Sequence, residues 1–260
     1  MEWGMKNRLS RIIKPDGRTV MLAVDHGYFM GPTTGLERFD KTVNPLIPWA
    51  DALMLTRGAL RNYMPPEIEI PIVLRVSGGT SILNKNLLHE GIIASMEDAI
   101  RLNVAAVAFS ILVGAEFERD TLLAFTEVID EAQAYGIPVV AVTAVGKEMV
   151  RDARYMSLAS RIAAELGAHI VKTYYVDGFE EVTETCPVPV VVAGGKKMPE
   201  NEALMLASDA VQAGAAGVDM GRNIFQAEDP KSMIQAVRAV VHENATPKDA
   251  YALYKKLRQR

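Results

Sequence analysis

One lysine of this chain stands where a charge is costly. Lys172 lies in the run His169-Ile170-Val171-Lys172-Thr173, whose apolar and β-branched residues predict a buried strand. Burial disfavours an ammonium ion, so it lowers the pKa of the amine and frees it to attack a carbonyl, giving a Schiff base. A lysine in this place can instead bridge to a carboxylate inside the protein. Position alone leaves both interpretations open.

Two glycine-rich turns follow predicted strands near the end of the chain. Gly194 and Gly195 come after one strand, and Gly221 and Arg222 come after the next. Glycines let backbone N–H groups approach the oxygens of a phosphate, and an arginine adds a bidentate donor. Such glycines can also serve only to make tight turns. Two turns of this kind, one followed by arginine, favour a phosphate site.

An acid and a histidine end the first predicted strand. The Asp25 carboxylate can orient a substrate hydroxyl or take its proton, and His26 can shuttle protons near neutral pH. Alternatively, Asp25 caps the next turn and His26 donates to a backbone carbonyl. Arg75 and Lys147 are possible further substrate contacts, although Arg75 can equally pair with an acidic residue. We expect no metal site, because the other histidines lack ligand spacing.

Short apolar runs bounded by Gly, Pro or Asp predict eight strands that are buried on both faces. Helical patterns separate most of these runs. The predicted strands are Thr19–Val24, Ala52–Thr56, Ile72–Val76, Ala105–Ser110, Val139–Thr143, Ile170–Thr173, Val188–Ala193 and Gly217–Met220, and the predicted helices are Ser95–Leu102, Glu118–Tyr135, Ser157–Leu166 and Glu200–Ala213.

This alternation predicts a (β/α)₈ TIM barrel, an α/β fold, spanning residues 1–260 as a single domain with a short N-terminal extension and a C-terminal helix. An open Rossmann-type sheet is the alternative. That fold would require a Gly-x-Gly-x-x-Gly turn after the first strand, which Asp25-His26-Gly27 does not begin. In a barrel, residues at the carboxyl ends of the strands form the active site, and all the candidates above lie there.

Composition narrows the possible partners and location. The chain has 260 residues with 28 Lys+Arg and 32 Asp+Glu, a net charge of −4, so we expect neither nucleic acid nor membrane as a main partner. The single cysteine, Cys186, excludes a disulfide framework and suits a reducing compartment. Without a signal-peptide pattern or membrane span in the sequence, we expect a cytoplasmic protein.

Together these motifs resemble the class I aldolase family of the archaeal fructose-bisphosphate aldolases over nearly the whole chain. The resemblance implies a Schiff-base Lys172, a substrate phosphate on Gly194, Gly195, Gly221 and Arg222, and catalytic support from Asp25 and His26. It also implies a homo-oligomer, expected to be a decamer. The matching stretches include Asp25-His26-Gly27-Tyr28-Phe29, Thr143-Ala144-Val145-Gly146-Lys147, Lys172-Thr173-Tyr174-Tyr175 and Asp219-Met220-Gly221-Arg222-Asn223-Ile224-Phe225-Gln226.

One departure from that family decides between its branches. The aldolases have a tyrosine for proton transfer at the end of the fifth strand, where this chain has Ala144. A thiolase-like branch, which processes autoinducer-2, also has a small residue there. We therefore expect a phosphorylated keto substrate, no bound cofactor, and coenzyme A as a cosubstrate that accepts an acetyl group. The alternatives are aldol cleavage of a sugar phosphate and a non-catalytic barrel that binds a phosphorylated ligand.

Overall fold

The computed structural model describes residues 1–84, 89–143 and 151–259 of the chain. Its strands are β1 (Thr19–Ala23), β2 (Ala52–Leu55), β3 (Ile72–Arg75), β4 (Ser77–Gly78), β5 (Gly91–Ile92), β6 (Ala106–Ile111), β7 (Val139–Thr143), β8 (Ile170–Tyr174), β9 (Val190–Ala193) and β10 (Gly217–Met220). Its α-helices are α1 (Trp3–Ile12), α2 (Gly27–Met30), α3 (Phe39–Val43), α4 (Arg57–Tyr63), α5 (Met96–Arg101), α6 (Glu118–Tyr135), α7 (Ala153–Glu165), α8 (Phe179–Thr185), α9 (Glu200–Gln212), α10 (Arg222–Phe225), α11 (Pro230–Glu243) and α12 (Pro247–Arg258), and Asn44–Trp49 is a 3₁₀ helix.

Eight parallel strands close into a barrel in the order β1-β10-β9-β8-β7-β6-β3-β2. Closure comes from the pairing of the first strand with the last, in which Thr19 lies opposite Gly217 and Leu22 opposite Met220. The predicted TIM barrel is confirmed, with each predicted strand found within two residues of its expected bounds. Strands buried on both faces are nearly continuous apolar runs, which is why the sequence marks them clearly.

Successive residues of each strand point alternately outward to the helices and inward to the lumen. Outward residues such as Val20 and Val171 belong to the core shared with the helices, whereas Met21, Val73 and Ile170 belong to a second cluster inside the barrel. That inner cluster also contains Ile12 of α1, so the first helix covers the N-terminal mouth of the barrel. The predicted N-terminal extension is thus a structural element.

The same alternation positions the functional side chains. A residue two places after an inward residue also points inward, but one layer closer to the C-terminal mouth. Arg75 follows Val73, Lys172 follows Ile170, and Ser110 follows Ala108 in this way. The apolar lower layers of the lumen therefore carry a polar upper layer, and that layer forms the floor of the site.

Some helices and loops differ from their predictions. Helix α7 begins at Ala153 rather than near Ser157, because the Asp152 side chain accepts a hydrogen bond from the backbone N–H of Tyr155 and caps the helix. The loop predicted after the third strand contains the short antiparallel pair β4 and β5. Among the described helices, none is long and apolar enough to cross a membrane.

Candidate active site

Lys172 lies on β8, the sixth strand of the barrel, with its side chain 10% exposed at the bottom of a cavity. Its Nζ is 2.9 Å from Oδ2 of Asp219 on β10 and 3.8 Å from Sδ of Met54. The sequence left open a reactive amine or a lumen ion pair, and the structure shows the ion pair at the cavity floor. Because Lys172 lines the cavity, its amine can contact a ligand that enters the cavity even while it is paired with Asp219.

Asp219 is a site residue that the sequence analysis missed as a separate candidate. Its side chain is fully buried, and Oδ1 has no hydrogen-bond partner among the described residues. Burial raises the pKa of this carboxyl above its usual range, although the charge of Lys172 opposes the shift. A carboxyl with a raised pKa beside an amine can exchange a proton with it.

Asp25 forms a second buried ion pair, with Arg75. Nε of Arg75 donates to Oδ2 of Asp25 at 2.8 Å, and Nη1 donates to Oγ of Ser110 at 2.6 Å. Burial alone would raise the pKa of Asp25, but the charges of Arg75 and Lys172 outweigh it and lower this pKa to about 2. Asp25 is therefore a permanent anion, and Arg75 holds it in place.

His26 lies beside this pair but outside its hydrogen bonds. Its Nδ1 is buried, 3.9 Å from Oδ1 of Asp25, and has no hydrogen-bond partner among the described residues. Its ring packs edge-on against Phe225, with centroids 5.6 Å apart. Burial lowers the pKa of His26 to about 4, even though Asp25 opposes the shift. The imidazole is therefore neutral at physiological pH, and burial makes it a weaker base than an exposed histidine.

A polar rim borders the cavity on the side of the β4–β5 pair. The hydroxyl of Tyr28 donates to Oε1 of Glu90 at 2.7 Å, and the hydroxyl of Ser77 donates to Oε2 at 2.6 Å. The Arg75 guanidinium lies 5.3 Å from the centre of the Tyr28 ring. These contacts join Asp25 to the rim through Arg75. Tyr28 and Glu90 were not predicted as site residues.

The glycine-rich turns after β9 and β10 lie side by side at the cavity. A Cβ on Gly221 would come within 2.4 Å of the carbonyl oxygen of Ala23, so only glycine fits there. Gly195 has φ +69°, a conformation that glycine adopts readily. Nδ2 of Asn223 donates to the carbonyl of Gly194 at 2.5 Å, and its Oδ1 accepts from the N–H of Met198 at 2.9 Å. Asn223 thus fixes one turn against the other.

Arg222 follows these glycines, and its Nε is buried without a hydrogen-bond partner among the described residues. A buried guanidinium N–H without a partner is costly, because it has lost its water without gaining an acceptor. Arg222 lines the cavity together with Lys172. The guanidinium therefore places a positive charge at the cavity, where an anion can enter from solvent.

The structure brings nearly all the predicted site residues to one cavity of about 270 Å³ at the C-terminal mouth of the barrel. Lys147 lies outside the described residues, as does Ala144. Cys186 is buried and precedes β9, so it lies toward the opposite mouth. Within the described part of the chain, no group of three His, Cys, Asp or Glu side chains is placed to hold a metal ion. The predicted residues that line the cavity are Asp25, His26, Arg75, Lys172, Gly194, Gly195, Gly221 and Arg222.

A barrel with a buried lysine between a carboxylate and two glycine-rich turns defines a class of protein, the Schiff-base aldolases and their relatives. The model of the DeoC/LacD family of aldolases matches residues 19–227. The chain therefore belongs to this family and is an enzyme of the class I aldolase type.

Two named relatives are similar to this chain in sequence over 98% of its length. It is 57% identical over 256 residues to the 3-hydroxy-5-phosphonooxypentane-2,4-dione thiolase of Photorhabdus laumondii, covering 98% of this chain and 88% of the relative. The thiolase of the same name from Escherichia coli strain K12 is 56% identical, with the same coverage.

Solved structures of archaeal aldolases are similar to this chain in fold. A crystal structure of an archaeal fructose 1,6-bisphosphate aldolase is 25% identical, with a TM-score of 0.82, covering 92% of this chain and 99% of that one. Another archaeal fructose-1,6-bisphosphate aldolase, whose catalytic lysine is covalently bound to a carbinolamine intermediate, is 25% identical with a TM-score of 0.81, covering 91% and 99%.

Proposed function

We propose that this enzyme is a thiolase that forms a Schiff base with 3-hydroxy-5-phosphonooxypentane-2,4-dione and transfers its acetyl group to coenzyme A. The products are acetyl-coenzyme A and dihydroxyacetone phosphate. The observation that carries the proposal is Lys172 at the floor of a cavity that Arg222 also lines. The names of relatives at 55–57% identity support the choice of substrate.

In this proposal the phosphate of the substrate docks on the turns after β9 and β10. Gly194, Gly195 and Gly221 leave room for its oxygens beside the backbone, and Arg222 donates to it. Docking at one end of the cavity places the adjacent carbonyl, C4 of the diketone, over Lys172. This use of binding energy for orientation lowers the cost of the step that follows.

Lys172 then attacks C4 and forms an iminium ion with loss of water. The thiolate of coenzyme A adds to C2, and the bond between C2 and C3 breaks. Its electron pair moves into the iminium and gives an enamine, while the acetyl group leaves on sulfur. A proton added to C3 and hydrolysis of the imine release dihydroxyacetone phosphate and the free lysine. The thiol comes from the cosubstrate, so Cys186 takes no part.

The remaining cavity residues support these steps. Asp25, held as an anion by Arg75, accepts a hydrogen bond from the C3 hydroxyl of the substrate and orients it. The neutral His26 lies beside Asp25 and can accept a hydrogen bond from the coenzyme A thiol, although burial makes it a weak base. Arg75 serves mainly to fix Asp25, since its Nε donates to Asp25 and its Nη1 donates to Ser110. We assign Lys147 only as a possible contact to the substrate.

A second candidate function is class I aldol cleavage of a sugar bisphosphate, favoured by the aldolase structures with TM-scores of 0.81 and 0.82. Ala144 argues against it, because an alanine supplies no proton where the resemblance implies a tyrosine.

The test is a coenzyme A dependence assay on the diketone phosphate, with fructose 1,6-bisphosphate as the control substrate. We expect acetyl-coenzyme A and dihydroxyacetone phosphate in equal amounts from the diketone, only when coenzyme A is present. Borohydride added during turnover should inactivate the enzyme and add the mass of the reduced adduct at Lys172. Rapid cleavage of fructose 1,6-bisphosphate without thiolysis of the diketone would replace the thiolase with the aldolase.

A further inference from the structure

The proposed Schiff-base mechanism still requires a side chain that transfers protons at Lys172. Formation of the imine needs a group that takes a proton from Lys172 and returns it to the departing water, and the enamine needs a proton at C3. The resemblance assigns such transfers to a tyrosine, and the chain has Ala144 in that position. Another side chain must therefore handle these protons.

We propose that Asp219 is the catalytic acid and base that replaces this tyrosine. Its Oδ2 is 2.9 Å from Nζ of Lys172, the atom that bonds to the substrate. Lys172 and Asp219 lie on alternate strands of the barrel, β8 and β10, and both point into the lumen, so the fold holds the two groups face to face. This inference rests on the proposed Schiff-base function.

The contacts of Asp219 suit a group that moves protons. Oδ1 has no hydrogen-bond partner among the described residues, and the side chain is shielded from solvent by the barrel. Among the described residues, the ion pair of Asp219 is with the reacting amine. The C3 carbon of the bound substrate is two bonds from Nζ, and so it comes within reach of a carboxyl that touches Nζ.

Other titratable groups in the cavity are less suited to this task. Asp25 is committed to Arg75 by a 2.8 Å hydrogen bond and stays ionised. The Tyr28 hydroxyl donates to Glu90 at the rim. Tyr174 also lines the cavity, two residues after Lys172, and the Arg151 guanidinium lies 4.5 Å from the centre of its ring. His26 is a further rival, because its Nδ1 has no hydrogen-bond partner among the described residues. It lies against Phe225, near the loop end of the cavity rather than at the amine.

Asp219 can carry the proton in each step of this mechanism. The Lys172 ammonium gives a proton to the Asp219 carboxylate, and the neutral amine adds to C4 to form the carbinolamine. Protonated Asp219 returns the proton to the carbinol oxygen, which leaves as water and gives the iminium. Asp219 is then a carboxylate again, and it takes up the proton that the coenzyme A thiol releases on attack at C2. After C2–C3 cleavage, Asp219 gives this proton to the enamine carbon C3.

The test uses the product, dihydroxyacetone phosphate, because it needs no coenzyme A. Bound as an iminium on Lys172, it should lose a C3 proton to Asp219 and regain a deuteron in D₂O. We expect the parent enzyme to incorporate deuterium and to be trapped by borohydride. Asp219→Asn should slow incorporation by about 10²- to 10⁴-fold while the trapping endpoint at Lys172 is retained. Asp130→Asn on the exposed face of α6 is the matched control and should leave both unchanged.

Each further outcome is decisive. Incorporation by Asp219→Asn within threefold of the parent, or loss of incorporation in His26→Gln alone or in Tyr174→Phe alone, would overturn the inference. Absence of the trapped adduct in folded Asp219→Asn even after prolonged incubation would also overturn it, since imine formation would then be abolished rather than slowed and Asp219 would be needed to position the lysine. A parent enzyme that neither traps nor exchanges would refute the proposed Schiff-base function instead.

A second variant covers the case in which Asp219→Asn does not fold. Asp219→Ala leaves a cavity beside Lys172 that formate can enter. Recovery of deuterium incorporation with formate, and not with chloride at equal ionic strength, would support the proton-transfer role. Failure of formate to restore incorporation in folded Asp219→Ala would reject it.

Discussion

The two mouths of this barrel each carry a cluster of charged groups, but the clusters differ in how completely their buried polar atoms are hydrogen-bonded. At the C-terminal mouth, His26, Asp219 and Arg222 each keep a buried polar atom without a hydrogen-bond partner among the described residues. At the N-terminal mouth, His242 of α11 lies between Asp16 and Asp51, at 2.7 Å from each.

The N-terminal cluster is closed by further contacts. Nη1 of Arg238 donates to Oδ1 of Asp51 at 2.8 Å, and the backbone N–H of Val20 donates to Oδ2 at 2.8 Å. No buried side-chain nitrogen or oxygen of Asp16, Asp51, Arg238 or His242 lacks a partner in the described structure. These bonds tie α11 to the starts of β1 and β2. We infer that this mouth serves stability and the other serves binding, the division that barrels of this kind follow.

The largest effect should come from removing the amine at the C-terminal mouth. Lys172→Met keeps much of the side-chain volume but cannot form an imine, so we expect the thiolase activity to fall by at least about 10⁴-fold. Borohydride with substrate should then add no mass to the protein. Lys197→Met, which replaces a lysine bound to Glu200 in the loop after β9, is the matched control and should keep its labelling at Lys172. Labelling of the Lys172→Met variant would place the reactive amine elsewhere.

A smaller effect should follow from removing the unpartnered donor. Arg222→Ala should raise the KM for the phosphorylated diketone by about ten- to a hundredfold, as expected for the loss of a charge-assisted contact worth about 1.5–3 kcal/mol. The dephosphorylated diketone serves as the control substrate, and its KM should change little. An equal rise for both substrates would show that Arg222 supports the loop and does not bind the phosphate.

The sequence predicts the C-terminal mouth well where the signal is local. Lys172 stands out as a charge in an apolar strand, and Arg222 stands out beside glycine. Asp219 carries the same signal, a charge within Gly217–Met220, yet its importance depends on a partner 47 residues away on another strand. A rule that pairs inward charges on alternate strands would have found it.

The other contacts could not be predicted from the sequence, because they form only in the folded barrel. Glu90 reaches Tyr28 only because β4 and β5 pair as a short hairpin, and the sequence there predicts only a loop. The N-terminal cluster combines a loop, the residue before β2 and a helix, so no spacing connects Asp16, Asp51 and His242. The strands were predictable because a strand buried on both faces consists almost entirely of apolar residues. These contacts, in contrast, depend on closure of the barrel.

At the N-terminal mouth, a change should alter stability without altering chemistry. The hydrogen bond to Asp51 raises the pKa of His242 above its ordinary value of 6.5, opposed in part by burial. The stabilisation is therefore fully present below pH 6.5 and is lost as the pH rises through the raised pKa. His242→Gln should lower the free energy of unfolding by about 2 kcal/mol at pH 6, with little difference at pH 9.

Chemical denaturation at the two pH values measures this effect, and kcat at pH 6 is the control. We expect kcat of folded His242→Gln to match that of the parent, because the residue lies at the opposite mouth from Lys172. A loss of stability that is equal at both pH values would mean that the neutral ring, and not its charge, stabilises the fold.

The smallest effect should come from Asp16, the exposed partner of the same histidine. Its side chain is 41% exposed, compared with 2% for Asp51, so solvent screens its attraction to His242. Asp16→Asn keeps the oxygen that accepts from the N–H of Arg18, but it replaces the charged Oδ2 that faces Nδ1 of His242 with an amide NH₂, which cannot accept a hydrogen bond. We expect Asp16→Asn to lower the free energy of unfolding by about 0.5 kcal/mol at pH 6.

In the His242→Gln background the same change should cost almost nothing, because the coupling between the two residues is gone. A double-mutant cycle at pH 6 and pH 9 measures that coupling, which should disappear at the higher pH. A coupling that persists at pH 9 would show that the contact depends on a neutral hydrogen bond, and the contrast between the two mouths would then rest on packing rather than on charge.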